Sequence, residues 1–124
     1  MANIFPKIDT VILRVKDLEK ARRWYEEKLG FEAGYVGSKE KIVVFNLGTT
    51  PTSLTIYELK PGEKSSLKNG VQRTYPIFYS ENINNSYETL RNRDVRVGKI
   101  EGDSESQWFS FYDVDDNQLE ACHY

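Results

Sequence analysis

Four side chains have the types and placement to share one piece of chemistry: Thr10, Glu58, Tyr75 and Glu120. Two carboxylates, a hydroxyl and a phenol make a set of hydrogen-bonding groups suited to a polar or charged small molecule. Each sits in a short apolar run that reads as a strand. Glu120 is the sharpest case, in Gln-Leu-Glu-Ala-Cys-His directly after a turn spelled Asp-Val-Asp-Asp-Asn. A charge in the middle of such a strand either faces water on a sheet edge, where it discourages edge pairing, or faces something that needs it. Arg14, Tyr79 and Trp108 join the candidate set. Arg14 offers a guanidinium fork for an anionic ligand, or an internal ion pair with Glu58 or Glu120. Tyr75, Tyr79 and Trp108 offer flat walls with polar tips, or core packing.

The elements that must position these residues come in a repeated order. Residues 10–15 alternate as a strand, Asp17 stands at an N-cap, and Leu18, Ala21, Tyr25 and Leu29 recur at helical spacing before Gly30. Three strand-like runs follow, at 31–36, 41–47 and 53–59, separated by the turn stretches Gly37-Ser38-Lys39 and Gly48-Thr49-Thr50-Pro51. A polar stretch over 61–73 reads as a linker. The order then returns: a strand over 75–80, Asn82 at the cap, a stripe of Ile83, Tyr87 and Leu90, then runs at 96–101, 107–113 and 118–124. A displacement of 65 residues lays Thr10 on Tyr75 and Asp17 on Asn82, and one of 62 lays Glu58 on Glu120. Two tandem βαβββ modules, about 9–59 and 75–124, predict one mixed α+β domain over 1–124. Its curved sheets carry helices outside and present their other faces to a concavity where a small molecule binds.

Side chains alternate across a strand, so parity sorts the faces. Thr10, Ile12 and Arg14 oppose Val11, Leu13 and Val15, whose aliphatic set suits the helix. Glu58 goes with Leu54 and Ile56, and Glu120 with Gln118 and Cys122. By the repeat Tyr75, Ile77 and Tyr79 join the inner face. Around Trp108 the frame is open, because Trp108, Ser110 and Tyr112 compete with Phe109 and Phe111. Cys122 has no neighbouring His or Lys in sequence to activate it and reads as an inert buried thiol. His123, the one histidine, reads as a surface or interface residue.

Composition bounds the classes. With 29% charged residues and a net charge of −2, the chain is an ordinary globular one with no basic run, which argues against nucleic acid as the main partner. No stretch suits a signal peptide or a bilayer span, so the expected address is cytoplasmic and no membrane is expected as a partner. The sequence contains one cysteine, so no internal disulfide forms.

Together the residues 8–18, the Trp24-Tyr25 and Leu29-Gly30-Phe31 of the first helix and its exit, and Phe-Tyr-Asp-Val-Asp-Asp-Asn-Gln-Leu-Glu over 111–120 resemble the glyoxalase/bleomycin-resistance/dioxygenase superfamily, also called the vicinal oxygen chelate superfamily. The closing turn departs from that family's Asp-Pro-Asp-Gly-Asn, with Val114 for Pro and Asp116 for Gly; Asp tolerates the left-handed conformation the turn needs. The resemblance implies a divalent metal held by one residue from the first and one from the last strand of each module, commonly His and Glu. Those positions carry over to Thr10, Glu58, Tyr75 and Glu120, where both histidines are missing. Such a set holds Mg²⁺ or Ca²⁺ only with several waters and is poor for Zn²⁺ or Ni²⁺. The expectation is therefore a protein with no metal or other cofactor that binds a small molecule as a homodimer, like the family's drug-sequestering members. The alternatives are a glyoxalase-like lyase or isomerase, or a dioxygenase-related enzyme, with a degenerate metal site, and an interaction domain with a filled interior.

Overall fold

Helix α1 (Leu18–Leu29) begins where Asp17, in extended backbone, accepts a hydrogen bond from the Lys20 amide, and ends at Gly30. Gly30 has φ +72°, and its amide and that of Phe31 close back onto Glu26 and Tyr25 carbonyls. The computed structural model describes residues 3–64, 72 and 74–124; most of the linker expected at 61–73 lies outside the described residues. The chain divides into two compact units at residues 65/66.

In the first unit, β1 (Thr10–Val15), β2 (Glu32–Gly37), β3 (Ile42–Asn46) and β4 (Ser53–Glu58) form one sheet in the order β1-β4-β3-β2. β1 runs parallel to β4 and the rest are antiparallel. One turn of α1 after another brings Leu18, Ala21 and Tyr25 to the same side, where they are buried against Leu13, Val15, Val43, Phe45, Leu54 and Ile56. The Tyr25 and Phe45 rings pack at 5.6 Å. Each large side chain removed from water here contributes about 1.5–3 kcal/mol before entropy is counted, so the helix is held by this face rather than by its modest intrinsic propensity.

The second unit repeats the plan with β5 (Ile77–Tyr79), α2 (Ile83–Asn92), β6 (Glu101–Gly102), β7 (Gln107–Tyr112) and β8 (Gln118–His123), in the order β5-β8-β7-β6. Asn82 caps α2 through the Asn85 amide, and Ile83, Leu90, Phe109, Phe111, Leu119 and Ala121 form the core. The expected α+β class and the tandem element order are both present. Two elements differ from expectation. The strand expected over 75–80 narrows to Ile77–Tyr79, though Pro76 still accepts from the Glu120 amide. The run expected over 96–101 reduces to a bridge from Val97 to Phe111 and the two-residue β6. Val97 faces Phe111 while Glu101 faces Trp108, so one extra residue is accommodated between them and the ladder bulges. In the closing turn Asp116 adopts φ +63°, the left-handed position the sequence pattern requires. Asp113 organises that turn by accepting from the amides of Asp115 and Asn117.

Candidate functional site

Strand register, more than strand parity, decides what stands beside what. In the first unit Thr10 pairs with Ser53, Ile12 with Thr55, Arg14 with Tyr57 and Val15 with Glu58. Thr10, Ile12 and Arg14 therefore share the helix-free face with Ser53, Thr55 and Tyr57. Glu58 lies on the other face, next to Val15 and at the start of α1. Its Oε1 accepts from the Leu18 amide at 3.0 Å and its Oε2 pairs with Lys41 Nζ at 3.0 Å. The Leu18 amide and then Lys41 hold its carboxyl below the ordinary 4.5. Glu58 is thus a helix-terminal acceptor, and its grouping with Thr10 and Arg14 is corrected. Leu54 and Ile56, with which it shares a face, are core residues, and the strand has no irregularity that would turn it over.

The residue that does stand by Thr10 is Thr55, whose hydroxyl lies 2.7 Å from that of Thr10 while Thr10 also donates toward the Ser53 carbonyl. Thr55 is buried. A signal for it existed: in the second unit Ile77 pairs with Glu120, as Ile12 pairs with Thr55 in the first. Keeping the displacement at 65 throughout carries Thr10 to Tyr75, Ile12 to Ile77 and Thr55 to Glu120. Arg14 also differs from expectation. Its Nε pairs with Glu63 at 3.0 Å and its guanidinium lies 4.0 Å over the Tyr57 ring. Among the described residues its ion-pair partner is Glu63, just beyond β4, rather than Glu58 or Glu120.

In the second unit β8 pairs with β5 on one side and β7 on the other, and the register builds two rows across the helix-free face. One row is Ile77, Glu120 and Ser110; the next is Tyr79, Cys122, Trp108 and Glu101. The frame of β7 is settled, with Phe109 and Phe111 in the core and Trp108, Ser110 and Tyr112 on the helix-free side. Ile77, Tyr79 and Trp108 are large side chains left 54%, 53% and 37% exposed. Tyr75 lies half-buried two residues before Ile77, ahead of the strand. Tyr79 donates to the Tyr124 carbonyl at 3.2 Å, while Tyr112 is already covered by the Arg96 guanidinium at 3.8 Å.

Glu120 is half-buried at the middle of this face. Burial, and then the charge of Glu101, raise its carboxyl above the ordinary range. Ser110, directly opposite, is within 3.3 Å of the Gln118 amide nitrogen, which donates to it. Among the described residues the Glu120 carboxylate makes no hydrogen bond or ion pair. Burial also raises the neighbouring Cys122 thiol, with a further contribution from Glu120, so it is protonated and unreactive at neutral pH. It is half-exposed rather than buried. His123 faces the other way, with Nδ1 2.7 Å from the Ser80 carbonyl, which makes it a hydrogen-bonded residue of the fold rather than a free surface group.

This arrangement tests the implied metal. Of the implied positions Thr10, Glu58, Tyr75 and Glu120, Glu58 faces the helix, so the helix-free face of the first sheet offers only the hydroxyls of Thr10 and Thr55, and the second unit offers the Glu120 carboxylate and the Tyr75 phenol. Two of those oxygens are engaged with each other. Such donors do not fit a resident transition metal, which needs imidazole, thiolate or several carboxylates. Among the described residues no three His, Cys, Asp or Glu side chains come together as a metal-holding group.

The model of the Glyoxalase/Bleomycin resistance protein/Dioxygenase superfamily matches residues 7–121. No curated protein matches the sequence. Among solved structures, TnmS3, an antibiotic binding protein from Streptomyces sp. CB03234, is similar with a TM-score of 0.81 and 18% identity, covering 98% of each chain. A putative glyoxalase family protein from Bacillus anthracis gives a TM-score of 0.78 at 22% identity, covering 99% of this chain and 98% of that one. A lactoylglutathione lyase from Agrobacterium tumefaciens gives 0.76 at 16%, covering 98% and 96%. At these identities the likeness concerns the fold.

Proposed function

The chain belongs to the glyoxalase/bleomycin resistance protein/dioxygenase superfamily, and on that premise we propose that it is a cytoplasmic, metal-independent small-molecule-binding protein rather than an enzyme. The observation that carries this reading is the helix-free face of the second sheet. There Ile77, Tyr79 and Trp108 stay exposed around a half-buried carboxylate that has no partner among the described residues. Apolar and aromatic surface with a convergent polar group is the usual composition of a ligand site, and a half-buried charge without a partner is costly unless a ligand satisfies it. The likeness in fold to an antibiotic binding protein is consistent with sequestration. The altered donor set weighs against metal-assisted lyase, isomerase or dioxygenase chemistry.

Native mass spectrometry of the protein purified from its own host tests the binding reading. We expect a co-purifying small molecule that the double variant Tyr79→Ala/Trp108→Ala loses while remaining folded by circular dichroism. A molecule retained by that variant, or none with either protein, overturns it. We further propose a homodimer. Ile4, Phe5 and Ile8 expose 82%, 74% and 67% of their surface, an apolar stretch suited to burial against a second copy. Sedimentation showing a monomer at micromolar concentration overturns that part.

A further inference from the structure

The charge class of the occupant follows from the same face, and the inference rests on that face being the binding site. Glu120 sits between two aromatic residues that are placed alike. Ile77 and Ser110 are its direct cross-strand neighbours, while Tyr79 and Trp108 flank Cys122 one pleat further on. Both rings are thus diagonal neighbours of Glu120, at about 7–8 Å between Cα atoms, within reach of long side chains. Elsewhere on the molecule, carboxylates that are partly withdrawn from water are matched: Glu58 by Lys41 and an amide, and Glu63 by Arg14. Aromatic faces near a guanidinium are matched too, Tyr57 by Arg14 and Tyr112 by Arg96. Glu120 and Trp108 have neither kind of partner among the described residues.

We propose that this face takes a planar organic cation, its protonated amine against Glu120 and its ring against Trp108. An anionic ligand would meet Glu120 and, in the next row, Glu101. A neutral one would leave the carboxylate as it is, half-buried and uncompensated. An ammonium supplies a charge-assisted hydrogen bond to the carboxylate and is attracted to the electron-rich ring faces at the same time.

Three probes of one shape separate the possibilities in calorimetric titrations of the full chain: 2-naphthylmethylamine as the cation, 2-naphthalenemethanol as its neutral counterpart and 2-naphthoate as the anion. The expected order is cation, alcohol, anion, with the amine about tenfold tighter than the alcohol. Glu120→Gln should cancel that advantage, so that amine and alcohol bind this variant alike, and Trp108→Ala should weaken both. If the alcohol binds in a Trp108-dependent way but the amine is no tighter, or keeps its advantage in Glu120→Gln, the charge class is wrong and the site stands. If no probe binds, or Trp108→Ala binds all three as well as wild type, the site itself is wrong and the inference falls with it.

Discussion

Replacing Glu58 separates a structural carboxylate from a ligand-binding one. The first amides of a helix have no partner within it, and at α1 two of them are satisfied from outside, Lys20 by Asp17 and Leu18 by Glu58. Glu58→Ala removes an acceptor and a negative charge from the positive end of the helix dipole, which costs about 0.5–2 kcal/mol. The Lys41 pair adds little, because that lysine is 63% exposed and its charge is screened. A net loss of about 1–2 kcal/mol lowers the midpoint of thermal unfolding by roughly 4–8 °C for a chain of this size. Glu58→Gln keeps an oxygen for the Leu18 amide and loses only the charge, so it should cost about half as much. The pH dependence has a definite sign. The folded-state carboxyl is held below its ordinary 4.5, so its contribution is complete above that value and is lost as pH falls through the lower, folded-state one. Urea melts of wild type and Glu58→Gln should therefore differ most at neutral pH and converge in acid. A Glu58→Ala protein as stable as wild type, or one with intact stability but lost ligand binding, would refute the placement of Glu58 at the helix.

Glu120 carries the opposite sign. Its folded-state carboxyl is raised above 4.5, so the ionised form destabilises as pH rises through that raised value, and Glu120→Gln should leave stability at neutral pH unchanged or slightly higher by urea melt. A marked loss would mean that Glu120 has a partner within the fold. Thr55→Val keeps the shape and removes one hydroxyl of the part-buried Thr10–Thr55 pair; Thr10 retains the Ser53 carbonyl, so a cost of about 1 kcal/mol is expected in the same melts. In thermal-shift titrations Mn²⁺, Ni²⁺, Zn²⁺ and Mg²⁺ should each leave the midpoint unmoved. A stabilisation by one ion that disappears in Glu120→Gln would restore the metal-enzyme reading.

Much of this protein can be read along the chain, because the signals are local. Asp17 and Asn82 mark helix starts by the hydrogen bonds their side chains make three residues on, and Gly30 marks a stop through a backbone angle that other residues resist. Alternation separates Leu13 and Val15 from Ile12 and Arg14 without reference to any other strand. The order of such local elements is enough to reveal two βαβββ modules. What faces Thr10 is a different matter. It depends on how far β4 slides along β1, and a parallel pair joined through a helix and two strands has no short turn to fix that slide. Packing against α1 sets the register through Leu54 and Ile56, and this seats Thr55 beside Thr10, while Glu58 faces the helix by its parity with those two core residues. The same holds for Arg14, whose partner Glu63 lies beyond the strand, and for β6, shortened by a bulge that no residue pattern announces. Parity is a property of one strand, and a site is a property of several, so the chain alone names the faces and only the packed sheet decides which side chains meet on them.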